Sequence, residues 1–122
     1  MTNIRNADNF AASWWDWTLF NDCFQPTKIR ITDVDGLVER NGHFLLIETK
    51  GIGVPVPQGQ AILFDAIRRD SRWHVLVVWG DTNQPQRWKV WGYRAEFTGG
   101  MDDLRKLIRR WFRYADRAGN RP

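Results

Sequence analysis

The sequence predicts an α/β fold, a mixed sheet of about four strands flanked by helices. Three observations carry this. Residues 28–50 hold two strand-like runs joined by Asn41-Gly42, the strongest short hairpin signal. Residues 73–79 (WHVLVVW) are almost uniformly apolar, as in a strand buried on both faces. A helical pattern over residues 58–70 lies between them, so strand, helix and strand follow in the order of a right-handed parallel crossover.

The elements follow in order. Residues 8–21 place Phe10, Trp14, Trp17 and Leu19 or Phe20 at helical spacing, with Asp8 or Asn9 as N-cap, and Gln25-Pro26-Thr27 breaks the pattern. Residues 28–40 (KIRITDVDGLVER) alternate apolar and polar and predict a strand; 43–50 (HFLLIETK) are its return. Gly51 to Pro57 holds two glycines and two prolines and must be a loop. Residues 58–70 (QGQAILFDAIRRD) align Gln60, Phe64 and Ile67 on one helix face. Residues 87–96 predict a further strand with a bulge at Gly92. Residues 102–117 form an amphipathic helix with Leu104, Ile108, Trp111 and Ala115 on its apolar face.

A chain of 122 residues without repeats or linker-like stretches is expected to be one domain, residues 1–122. No apolar run approaches the ~20 residues that span a bilayer, and the first residues lack a signal-peptide pattern. The single Cys23 excludes an internal disulfide framework or a multi-cysteine zinc site, and two histidines are too few for most catalytic zinc centres. A small soluble protein of the cytosol is expected. The net charge of +4 is unevenly spread: residues 1–60 carry five basic and seven acidic side chains, residues 61–122 thirteen and seven. Such asymmetry suits an enzyme whose carboxylates hold a metal while its arginines hold a polyanion, or simply a solvated basic helix face.

The hairpin places the chemistry. With a two-residue Asn41-Gly42 turn, Arg40 pairs with His43, Asp35 falls opposite Glu48 and Asp33 opposite Lys50. All four side chains then emerge on one face, shared with Leu37, Phe44 and Leu46. Opposed carboxylates repel unless a cation joins them, and oxygen ligands on paired strands suit Mg²⁺ or Mn²⁺. A lysine beside such a metal can position a water, so the combination suits phosphodiester hydrolysis.

Asp35 followed by Glu48-Thr49-Lys50 on the next strand resembles the PD-(D/E)XK nuclease motif. The stretch ITDVDGLVERNGHFLLIETKG is similar to small phage-type members, and Gln60 resembles the glutamine of the VRR-NUC and Holliday-junction-resolvase-like branches. The resemblance covers about residues 8–80. It implies a restriction-endonuclease-like fold and Mg²⁺-dependent cleavage of DNA. It also implies Asp35, Glu48 and the Thr49 backbone carbonyl as metal ligands, Lys50 on the attacking water, and Gln60 holding water or phosphate. Asp33 is a reserve ligand or a partner of Lys50. Arg68, Arg69 and Arg72 are expected on the DNA backbone, and a homodimer would suit a duplex or junction. Val34 stands where the family has proline, and no glutamate precedes Glu39, although many members supply one from the first helix. That second departure sustains a rival reading, a nuclease-fold module that binds DNA or protein without cutting.

Of eight tryptophans, Trp73, Trp79 and Trp111 are expected in the core, Trp14 and Trp17 on a packed helix, and Trp15 and Trp88 free to stack on bases. Gly51-x-Gly53 lacks a third glycine and is not a dinucleotide site. Cys23 is expected to be a buried or inert thiol, His43 solvated, and His74 a core residue with its hydrogen bonds satisfied.

Overall fold

The computed structural model describes residues 15–119. The chain divides into two compact units, Met1–Asp33 and Val34–Pro122. The elements of the second are β1 (Gly36–Arg40), β2 (His43–Lys50), α1 (Gln58–Arg68), β3 (Trp73–Asp81), β4 (Gln84–Val90), β5 (Glu96–Thr98) and α2 (Met101–Ala118). Together the strands make one mixed sheet in the order β1-β2-β3-β4-β5, five strands where about four were expected. Only β2 and β3 run parallel; the other three pairings are antiparallel. Among the described residues no helix is long and apolar enough to cross a membrane.

Side-chain alternation sorts the core into two layers. Leu46, Val75, Val77 and Trp79 pack with Phe64 of α1 on one face. Leu45, Leu76, Val78 and Trp88 pack with Leu104, Trp111 and Ala115 of α2 on the other. Residues 75–79 are all buried, as their uniform hydrophobicity requires of a strand covered on both sides. Full burial of each such side chain contributes about 1.5–3 kcal/mol.

The β1–β2 register is the one the sequence dictates, Arg40 with His43 back to Gly36 with Ile47. Asn41 (φ 53°) and Gly42 (φ 79°) both lie in the left-handed region, the backbone a tight two-residue hairpin requires. Asn41 Nδ2 donates to the carbonyls of Ala115 and Asp116, 3.1 Å each, and Arg40 pairs with Asp116 at 2.7 Å. The hairpin turn is thereby tied to the end of α2. At the start of α2, Gly100 N–H donates to Asp103 Oδ2 at 3.2 Å, satisfying one free N-terminal donor.

Several expectations are corrected. The strand starts at Gly36, so residues 28–35 do not join the ladder. In the first unit, the described part of the expected helix is a 3₁₀ helix, Trp17–Phe24, capped by Asp16 and burying no residue. Asp8, Asn9, Phe10 and Trp14 lie outside the described residues. Trp88 is core, 4% exposed, whereas Trp15 is 71% exposed. Cys23 is exposed, which removes the buried alternative of the expected buried or inert thiol.

The bulge falls at Trp79/Gly80, not at Gly92. Pro85, paired with Gly80, has no N–H to continue the ladder, and the register shifts beside it. Gly92 instead has φ 94° and ends the strand in a turn, splitting 87–96 into β4 and the unexpected β5. The β3–β4 connection through Thr82-Asn83, with Asn83 at φ 58°, was also unanticipated.

His74 is not satisfied among the described residues: its Nδ1 is buried without a partner there, as is that of His43. Both imidazoles meet the Tyr114 ring edge-on, with centroids 5.8 and 5.2 Å away. Burial, then the nearby His43 charge, pushes the His74 pKa below its ordinary 6.5.

Two outcomes are expected. A Cβ at residue 80 would stand 2.3 Å from the Gln84 carbonyl oxygen and 2.8 Å from Pro85 Cα, both backbone. Gly80→Ala should therefore cost about 2–4 kcal/mol in urea unfolding. Because folding depresses the His74 pKa, the unfolded chain binds that proton more readily. Stability should be full above about pH 6.5 and fall as pH drops through the folded pKa. Thermal midpoints between about pH 7.5 and 5 should show this slope, weakened in His74→Gln.

Candidate active site

Alternation along β2 turns Leu46, Glu48 and Lys50 toward the face covered by α1. Glu48, 7% exposed, is the one charged residue buried among the described residues. A carboxylate stripped of water costs several kcal/mol unless partnered. Two partners reach it, and both choose the same oxygen. Gln60 Nε2 donates to Glu48 Oε1 at 3.0 Å, and Lys50 Nζ lies 3.5 Å from it. Lys50 itself is 14% exposed at the side chain.

The local sequence explains the encounter. Glu48 and Lys50 are two residues apart in a strand, hence on one face. Pro55 and Pro57 keep the loop after β2 out of regular structure, and α1 opens at Gln58, so Gln60 sits in its first turn. The indole of Trp79 donates to the Val54 carbonyl at 2.6 Å and pins that loop, while Arg87 stacks on the same ring at 3.9 Å. The far part of α1 is held by Trp91 Nε1 donating to Asp65 Oδ1 at 2.7 Å.

Asp35 stands just before β1. Its Oδ2 accepts from both Thr49 N–H, at 2.9 Å, and Thr49 Oγ1, at 3.0 Å. The carboxylate is thus held at the edge of β2, one residue along from Glu48, rather than by continued strand pairing. Thr49 was expected to offer only its carbonyl; its amide and hydroxyl are what anchor Asp35. Its place between Glu48 and Lys50, with its side chain on the opposite face, was the only available signal. Asp33 belongs to the first unit, where its carboxylate accepts from the Trp17 indole at 2.5 Å. The ladder does not extend to pair it with Lys50.

The site therefore gathers Glu48, Lys50 and Gln60, whereas Asp35, which does not pair with Glu48, is held on Thr49, whose side chain lies on the opposite face of β2. Among the described residues, Glu48 Oε2 and Asp35 Oδ1 accept no hydrogen bond. Gln60 Oε1 is buried and has no partner among the described residues. Turning the amide would aim its oxygen at the Glu48 carboxylate, so the orphan is a property of the arrangement. Open carboxylate and amide oxygens are the hard donors that Mg²⁺ or Mn²⁺ and their waters accept. Among the described residues no three His, Cys, Asp or Glu side chains converge, so at most two carboxylates would serve one ion.

The expected nucleic-acid contacts differ in availability. Arg69 is exposed. The Arg68 guanidinium lies where a side chain on Gly92 would stand. Arg72 is engaged by Asp70, NH2 to Oδ2 at 2.8 Å and Nε to Oδ1 at 3.1 Å. Those hydrogen bonds hold the Asp70 carboxyl at about 2 and raise the Arg72 pKa.

No protein-family model, no curated protein and no solved structure matches this chain.

The buried pair has a stability signature. Lys50→Met strands the Glu48 carboxylate and should cost about 3 kcal/mol in urea unfolding. Adding Glu48→Leu should recover most of that loss, whereas independent sites would sum.

Proposed function

We propose that this chain is a metal-dependent nuclease that hydrolyses DNA phosphodiester bonds, with a restriction-endonuclease-like sheet resembling the PD-(D/E)XK superfamily. The observation that carries the reading is Gln60 Oε1, a buried acceptor without a donor, beside a buried Glu48 that is neutralised by Lys50. A purely structural glutamine would use both ends of its amide.

In this reading Glu48 and Asp35 would hold Mg²⁺ or Mn²⁺, with the Thr49 carbonyl as a further ligand. The ion, when bound, supplies positive charge to stabilise the scissile phosphate as negative charge builds on it. Lys50 and Gln60 touch the same Glu48 oxygen and border the same space. Lys50 Nζ positions the attacking water, and Gln60 Oε1 accepts a hydrogen bond from it. Thr49 fixes the Asp35 carboxylate through its amide and hydroxyl. Arg69 meets the DNA backbone, joined by Arg68 and by Arg72 if it exchanges Asp70 for phosphate. A second copy of the chain would extend the DNA footprint.

One observation favours the rival binding module: among the described residues no three His, Cys, Asp or Glu side chains form a group that could hold a metal ion. Such a module would bind DNA or a protein through the same surface without cutting.

The discriminating experiment uses supercoiled plasmid, linear duplex, single strands and a four-way junction, each with Mg²⁺, Mn²⁺ or EDTA. Cleavage should require metal and fall about 100-fold or more in Glu48→Ala and in Lys50→Ala. Gln60→Ala should lower it less. A wild-type protein that shifts DNA in a gel but cuts none of the four would establish the binding module. Cutting that survives in both variants would remove the site from the reaction.

A further inference from the structure

The opposite face of the sheet carries a second hollow that the proposed nuclease chemistry does not use. Between the sheet and α2 lies a cavity of about 250 Å³, its walls formed largely by Leu45, Leu76, Val90 and Leu107. At one side it is bounded by Arg110 and Tyr114. The same two residues, with Arg113 and Arg117, line an adjoining hollow of about 290 Å³. An apolar cavity thus adjoins an open cationic stretch of the α2 surface.

The arginine spacing is three and then four residues, so Arg110, Arg113 and Arg117 form one stripe along α2. Among the described residues none of the three has a carboxylate partner; the nearby Asp116 is taken by Arg40 at 2.7 Å. Unpaired like charges at this spacing repel and weaken a helix, a cost that an anion seated among them removes. Three guanidinium groups match a doubly charged phosphate better than a single carboxylate. The apolar cavity is also incompletely satisfied: His74 and Trp111 both line it, and among the described residues His74 Nδ1 and Trp111 Nε1 are buried without partners.

We propose that this face binds a phosphate monoester carrying an apolar or aromatic body, the phosphate on Arg110, Arg113 and Arg117 and the body in the cavity beneath α2. The site is separate from Glu48 and does not rest on the nuclease reading. Its ligand is a molecule with both parts, because the apolar cavity and the cationic stretch adjoin.

Isothermal titration of the full chain in EDTA, which suppresses metal-dependent binding at Glu48, tests this with three probes: octyl phosphate, thymidine 5′-monophosphate and inorganic phosphate. At least one body-carrying phosphate should bind at one site, about 10-fold or more tighter than inorganic phosphate. Tighter octyl phosphate would assign a lipid-like body, and tighter thymidine monophosphate a nucleotide. Arg110→Glu/Arg113→Glu, both exposed positions, should weaken binding about 10-fold or more while leaving the thermal midpoint near that of the wild type. Leu107→Phe, which fills the cavity, should weaken the body-carrying probes and spare inorganic phosphate. Absence of saturable binding, equal affinity for all three probes, or undiminished binding by the double variant would each overturn the proposal.

Discussion

The parallel pairing of β2 with β3 is the constraint on which the rest of the second unit depends. Parallel neighbours cannot be joined by a tight turn, so the chain must leave the end of β2, cross one face and return at the start of β3. That crossing is α1, and it buries Phe64 against Leu46, Val75 and Val77. It also delivers Gln60 to Glu48, residues twelve apart in sequence and 3.0 Å apart in space. Without the crossover, Glu48 would be a carboxylate on an open strand.

Burial then sets the chemistry. Glu48 shares its face with Leu46, and desolvation makes an unpartnered carboxylate costly there. Lys50 and Gln60 offset that cost from one side only, both on Oε1, leaving Oε2 open. Such an arrangement is poor economy for a structural ion pair, where a leucine in place of the glutamate would pack without charge. It is sensible where the open oxygens have work to do, which is the substance of the proposed nuclease reading.

The two faces of the sheet are built differently. On the α1 side the tryptophan indoles are tied down, Trp79 to Val54 and Trp91 to Asp65, and the loop and helix around Glu48 are held in place. On the α2 side the Trp111 indole and the His74 imidazole keep unpartnered buried nitrogens around a cavity. Each face also keeps buried polar atoms without partners among the described residues, Gln60 Oε1 on the α1 side and His74 Nδ1 and Trp111 Nε1 on the α2 side.

Local signals in the sequence determined the hairpin register, the buried β3, the parallel crossover and the apolar face of α2. Each rests on short-range rules: Asn41-Gly42 favours positive φ, and periods of two or 3.6 residues select the buried side. The closeness of Glu48 and Lys50 was likewise legible, since two residues in a strand share a face. Tertiary structure decided the rest. Pro85 against Gly80 moved the bulge, because a missing N–H matters only once its strand partner is known. Trp88, expected free to stack on bases, is buried, since burial depends on which element covers a side chain. Asp35 turned to Thr49 because the ladder stops at Gly36, leaving its carboxylate to find a donor at the edge of β2. The orphaned Gln60 oxygen could not be read from the chain at all: an unsatisfied atom is defined only by its surroundings.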